Sequence, residues 1–142
     1  MPAYLLDANV LIALAWPEHL AHERAGRWFA RHAQRGWATC PITQTALVRI
    51  LSNPSFSERA LTPSGALQVL SRNVEVPEHH FWSDSIGLRE AIERMPAALT
   101  GYRQITDAYL VALAIRNHGK LATLDRGIQQ WAPAGAVELI GV

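Results

Sequence analysis

Short, uniformly apolar runs alternate along this chain with longer stretches whose apolar residues recur at helical spacing, the pattern of an α/β domain with a mainly parallel sheet. Tyr4 to Leu6 is the first such run; with no polar alternation it predicts a strand buried on both faces. A short helix follows from Asn9 to Leu14, interrupted by Pro17. A second, from about Glu18 to His32, turns Leu20, Ala25, Trp28 and Phe29 to the core and ends before Gly36. Trp37 to Cys40 predicts the next strand. Thr43 can cap a helix through Gln44, Leu47, Val48, Ile50 and Leu51, which stops before Asn53-Pro54 because the residue ahead of proline disfavours helical backbone.

The breaker-rich segment from Asn53 to Thr62 reads as a loop. Pro63 and Ser64 open a helix to about Leu70, Val74 to Val76 reads as a short strand closed by Pro77, and His79 to Trp82 as an extended segment. The pattern from Ser83 to Gly101 is irregular. Ile105 to His118 is the strongest helix, apolar on nearly every side, with Thr106 as a cap and Gly119 as its terminator, so it predicts a central buried helix. Leu121 to Leu124 then reads as a strand, Arg126 to Trp131 as a helical turn and Val137 to Ile140 as the last strand.

Composition changes this picture little. A chain of 142 residues, 49% hydrophobic and 18% charged, predicts one ordinary domain over residues 1–142 with a core that needs no disulfide. The single cysteine, Cys40, sits between apolar neighbours and reads as a small buried residue. No signal segment and no bilayer-length apolar run is present, so a cytoplasmic protein without a membrane partner is expected. A net charge of +1 neither requires nor excludes nucleic acid, and puts the weight of that question on individual arginines. The tryptophans read as core or interface anchors, Trp16 and Trp82 being the candidates for exposure.

Three aspartates carry the chemistry. Asp7 and Asp125 each follow a predicted strand directly, and Asp107 stands in the first turn of the predicted central helix. Functional groups of open parallel sheets gather beyond the carboxyl ends of the strands, so the three carboxylates can meet in one crevice. A hard divalent cation, Mg²⁺ or Mn²⁺, would offset their repulsion, lower the pKa of bound water and contact a phosphate oxygen. Two of the acids also have plainer roles, Asp107 as a helix cap and Asp125 as a turn residue before Arg126-Gly127, whereas Asp7 interrupts an apolar run with no turn after it.

LLDANVLIALAWPEH near the start, ATCPITQTALVRILSNP in the middle and RQITDAYLVALAIRNHGKLATLDRGI near the end resemble, in matching order, the PIN domain, and within it the VapC-type ribonuclease toxins of bacterial toxin-antitoxin modules. The resemblance runs from about Tyr4 to Gly127. It implies a PIN-like three-layer sandwich, with helices on both sides of the sheet. Asp7, Asp107 and Asp125 would bind Mg²⁺ or Mn²⁺, and RNA phosphodiesters would be hydrolysed to leave a 5′ phosphate and a 3′ hydroxyl. The implied partners are RNA, a cognate antitoxin covering the acidic crevice, and a second copy in a homodimer.

The chain departs from that family in one place. The middle helix usually carries a glutamate, and here it offers Gln44 and Ala46, with Arg49 further on. Gln44 can lend a carbonyl oxygen but neither charge nor basicity, so weaker metal binding is expected. Asp84, in FWSDS, is the nearest acid that could compensate, although a helix N-cap is its favoured role. Arg103 and Arg126 lie nearest the acids in sequence and are the preferred candidates for RNA contact over Arg49, Arg116 and Lys120; Asn9 and Thr123 can bind substrate or orient an aspartate, and Thr106 can do the same for Asp107. The histidines show no metal-ligand spacing. Two alternatives remain. One is a catalytically weakened RNA- or antitoxin-binding protein. The other is a haloacid dehalogenase-type phosphatase with Asp7 as nucleophile, which Asn9 disfavours by standing where such enzymes carry a second aspartate.

Overall fold

The computed structural model describes residues 3–141. Its centre is a sheet of five strands in the order β3-β2-β1-β4-β5, all paired in parallel: β1 (Tyr4–Leu6), β2 (Trp37–Thr39), β3 (His79–Phe81), β4 (Lys120–Thr123) and β5 (Val137–Leu139). Seven α-helices complete it: α1 (Ala8–Ala15), α2 (His22–His32), α3 (Pro41–Leu51), α4 (Pro63–Val74), α5 (Leu88–Glu93), α6 (Gln104–Arg116) and α7 (Gly127–Trp131).

Side-chain alternation along the strands splits the core in two. Leu5, Ala38 and Leu121 pack with α5, α6 and α7 on one face, while Tyr4, Leu6, Trp37 and Ala122 pack with α1 to α4 on the other. This is the expected three-layer sandwich. Helix α6 is its keystone, with seven consecutive buried residues from Ala108 to Ala114, as a helix covered on all sides requires. Cys40 is fully buried, as its surroundings in the sequence predict.

Several boundaries differ from the sequence expectation, each for a local reason. Helix α2 starts at His22, and Leu20 is fully exposed in the preceding turn, outside the core assigned to it. Helix α3 begins at Pro41 with Cys40 at its N-cap; Thr43 is already the third helical residue, and its hydroxyl oxygen accepts the Cys40 N–H at 3.0 Å. Helix α4 runs on to Val74, so no strand forms at Val74–Val76, and the edge strand is the extended segment at His79. Gly87 occupies the N-cap of α5, which removes the capping role expected of Asp84.

Arg103 rather than Thr106 stands at the N-cap of helix α6, without a side-chain cap bond, while Gln104 Oε1 holds the preceding turn by accepting the N–H groups of Thr100 and Gly101. At its far end His118 takes the left-handed conformation, with φ of 58°, and Gly119 donates back to Ala114 O. Gly119 is there for a different reason from the one its sequence suggests. A Cβ at this position would meet Ala3 O at 2.4 Å, so only glycine lets α6 turn closely into β4. Trp16 and Trp82 are both half-buried, Trp16 edge-on to Phe56 and Trp82 against the α6 core.

Candidate active site

Asp7 and Asp125 end adjacent strands. β1 and β4 are in register from Tyr4 and Lys120 to Leu6 and Ala122, and the Asp7 N–H continues the ladder to Ala122 O at 2.9 Å. The two acids therefore leave the sheet side by side at its carboxyl edge. Asp7 caps α1: its Oδ1 accepts the Ala8 N–H at 2.7 Å, and its extended backbone turns the chain from strand to helix. Its Oδ2 accepts the Thr123 hydroxyl at 2.8 Å from beneath, so a carboxylate only 7% exposed is satisfied on both oxygens. Asp125 is exposed and its Oδ1 takes the Gly127 N–H at 2.8 Å, the turn role read from the sequence, with Oδ2 left free of hydrogen bonds among the described residues.

Asp107 comes from the third element. Helix α6 lies across β1 and β4 and presents Asp107 in its first turn, half-buried. Burial, then the charge of Asp7, then that of Asp125 push its carboxyl up to about 6. Asp7 is likewise raised, by burial first and by Asp125 last, against the lowering effect of its Thr123 and Ala8 hydrogen bonds. Asp107 thus senses both other acids and Asp7 senses Asp125, which puts the three expected residues in one electrostatic neighbourhood. Among the described residues no three His, Cys, Asp or Glu side chains stand at metal-ligand spacing, as carboxylates that repel one another would stand apart. The donor set is all hard oxygen, which suits a Mg²⁺ or Mn²⁺ ion, and a cation among the acids would relieve the repulsion that Asp107 registers.

Asn9 and Thr123 serve Asp7 rather than facing outward. Thr123 Oγ1, fully buried, donates to Asp7 and accepts from Asn9 Nδ2 at 3.2 Å and from the Asp125 N–H at 3.1 Å. Asn9 Oδ1 accepts the Leu124 N–H at 3.2 Å. The pair ties α1 to the β4 end and fixes the spacing of Asp7 and Asp125.

Gln44 is bonded to another partner. Its Nε2 donates to Thr39 Oγ1 at 2.9 Å, and Thr39 is itself bonded to His79 Nε2 at 2.7 Å on the outer strand β3. No hydrogen bond joins Gln44 to the three acids among the described residues. The face of α3 that turns toward α6 is marked by Ile42, which packs into the α6 core, and the residue one turn above Ile42 is Ala46. Of the two residues weighed for the fourth acid, Ala46 is the one on the Ile42 side of the helix, and it carries only a methyl group. The Gln44–Thr39–His79 chain went unseen in the sequence because its members are residues of three elements; burial and the neighbouring His80 hold the His79 imidazole below its ordinary pKa.

Arg103 and Arg126 are both exposed at helix N-caps beside the acids and form no ion pair among the described residues. Arg103 lies over the Tyr102 ring at 5.7 Å. Arg116 and Lys120 flank the turn that leads into β4, at the end of the sheet away from the acids. Thr106 is exposed and caps nothing.

The PIN domain profile matches residues 4–132. The chain belongs to the PIN-domain family. Within it this PIN domain is similar to Ribonuclease VapC39 of Mycobacterium tuberculosis, 42% identical over 96% of the chain and 98% of the relative. It is also 39% identical to Ribonuclease VapC38 of the same organism, over 97% of the chain and 98% of the relative. Among solved structures it superposes on the Mycobacterium tuberculosis VapC20, a Sarcin-Ricin loop cleaving toxin, with a TM-score of 0.67 at 15% identity, covering 96% of this chain and 98% of that one. It superposes equally well on a chain of VapBC2 from Rickettsia felis bound to a DNA fragment from their promoter, with a TM-score of 0.66 at 15% identity and the same coverage. At that identity the two structures bear on the fold alone. Among the described residues no helix is long and apolar enough to cross a membrane.

Proposed function

We propose that this PIN domain is an endoribonuclease acting as the toxin of a toxin-antitoxin pair, with Asp7, Asp107 and Asp125 as its catalytic acids. The observation that carries the assignment is the coupling of Asp107 to both Asp7 and Asp125, three acids from three elements at the carboxyl edge of one parallel sheet. The ribonuclease relatives, which match nearly the whole chain, support the activity and the RNA substrate. The family match sets aside the phosphatase alternative, and Asn9, already engaged with Thr123 and Leu124, takes no catalytic aspartate's part.

Asp7, Asp107 and Asp125 would hold Mg²⁺ or Mn²⁺, which when bound supplies a Lewis acid for the phosphate and a water acidic enough to attack it. The chain's own residues set that stage. Thr123 and the Ala8 N–H fix both Asp7 oxygens, so the most buried acid enters the reaction already oriented. Asp107 stands where the α6 dipole favours negative charge, while burial and the neighbouring acids raise its carboxyl to about 6. Arg103 and Arg126, exposed and in no ion pair among the described residues, offer guanidinium groups for the RNA backbone. With neither Gln44 nor Ala46 supplying a charge, the site would hold a cation by three carboxylates and should require more of it than a four-acid site.

The reading takes residues 1–142 as one cytoplasmic domain that forms a homodimer and is silenced by an antitoxin. Induction followed by end-mapping of cellular transcripts tests it. Discrete new ends bearing a 5′ phosphate, absent with Asp7→Asn, are expected; RNA degradation unchanged by that variant would sink the assignment.

A further inference from the structure

A second concavity of about 410 Å³ opens beside the acids, between the start of α3, the segment from Trp82 to Gly87 and the start of α6. Ile42, Leu88 and Ile105 wall it, and Thr106, the neighbour of Asp107 in the chain, lines it as well, so it lies against the turn of α6 that carries Asp107. Leu88 and Ile105 are 53% and 37% exposed there, apolar surface in reach of a substrate held at the acids. In the same groove stands Asp84, which engages no cation and no hydrogen-bond donor among the described residues.

The segment that carries Asp84 is fixed at both ends. The Trp82 N–H donates to Thr39 O at 2.8 Å, and the buried Tyr109 hydroxyl donates to Ile86 O at 2.8 Å. A lone carboxylate is thereby presented from a rigid support into an apolar slot next to the proposed catalytic acids.

We propose that this groove is a subsite for one unpaired guanine base of the RNA, read by Asp84; the proposal rests on the ribonuclease reading above. A carboxylate accepts hydrogen bonds and donates none, and it repels phosphate, so the groove takes a base and leaves the backbone to the arginines. Guanine presents N1–H and the N2 amino group side by side, two parallel donors that match the two oxygens of a carboxylate. The other bases set each donor beside an acceptor. The apolar walls suit the flat faces of the ring, and the edge is accessible only where the guanine is unpaired, in single-stranded RNA.

Fluorescence anisotropy tests it with two labelled oligouridine strands, one carrying a single guanosine and the other a single inosine, which lacks the N2 amino group. The protein is the full chain with Asp107→Asn, which holds cleavage down. The guanosine strand should bind about tenfold more tightly, the worth of one good base-edge hydrogen bond, and the added change Asp84→Asn should erase that difference. Equal binding of the two strands to the protein with Asp84 intact overturns the proposal without recourse to any variant. Light scattering on the same samples reads the rival occupant: if Asp84→Asn alters only self-association and leaves base discrimination intact, the groove is a protein interface and the proposal falls. Failure of the ribonuclease reading shows separately, as wild-type protein that cleaves no RNA with Mn²⁺.

Discussion

Thr123 Oγ1 donates to Asp7 Oδ2 at 2.8 Å, and the same oxygen accepts the Asn9 amide and the Asp125 N–H. One hydroxyl thus spends its single proton and both lone pairs on three groups of the site, with no exposure to solvent.

Thr123→Val keeps the shape of the side chain and strands all three partners. The cost should be about 2 to 3 kcal/mol of stability, read by urea denaturation, and about 10 to 100-fold in cleavage rate as Asp7 loses its support. Thr123→Ser restores the hydroxyl and should recover most of the rate; a valine variant as stable and active as wild type would remove the hub from the account.

The pH dependence follows from Asp107. Its folded carboxyl titrates near 6 against an ordinary value of 3.8, so the folded protein binds this proton more tightly than the unfolded chain does. Its stabilising contribution is therefore complete at low pH and is lost as pH rises through about 6. His79 works the other way: its lowered pKa means stability is lost as pH falls below 6.5. The difference in unfolding free energy between wild type and Asp107→Asn isolates the first effect. Measured without divalent cation, it should shift in favour of wild type as the pH is lowered from 7 to 5. A flat difference would show that Asp107 is not held among like charges.

Helix α3 offers a direct comparison of two positions. Ala46→Glu should tighten Mn²⁺ binding several-fold, read as a larger rise in melting temperature with the metal, because Ala46 shares its side of the helix with Ile42, which packs into the α6 core. Gln44→Glu should give no such gain, since that side chain belongs to Thr39. Tighter binding from the Gln44 change alone would return Gln44 to the metal site.

Gly119→Ala should destabilise the fold by about 2 kcal/mol or more, because the added methyl meets the Ala3 carbonyl, which already accepts the Lys120 N–H at 3.1 Å and cannot retreat. Thermal melting of the purified variant checks this, and an unchanged melting temperature would contradict the close passage of α6 over the β1 entry.

Much of this was legible in the chain because the strongest signals are local. Asp7 and Asp125 follow apolar strands, and the unbroken apolar stretch of α6 could only be a covered helix, so the parallel sheet and the three candidate acids were both legible from short-range pattern, while the strand order was not. What escaped depends on contacts between elements. Val74 and Val76 look like a strand by residue type, yet α4 simply continues through Val74 and leaves β3 to His79. The role of Gln44 turned on which side of α3 faces α6, a matter of packing that spacing does not disclose. Asp84 looked like a cap because Gly87, the residue that caps α5, gives no side-chain signal of its own.

The central claim is that Asp7 and Asp125 belong to one centre, and a double-mutant cycle on RNA cleavage with Mn²⁺ tests it most directly. Asp7→Asn and Asp125→Asn should each reduce the rate by about a hundredfold or more, and the double variant should lose little beyond either one, as groups that act as a unit do. Losses that multiply in the double variant, or Asp125→Asn cleaving at the wild-type rate, would contradict the claim.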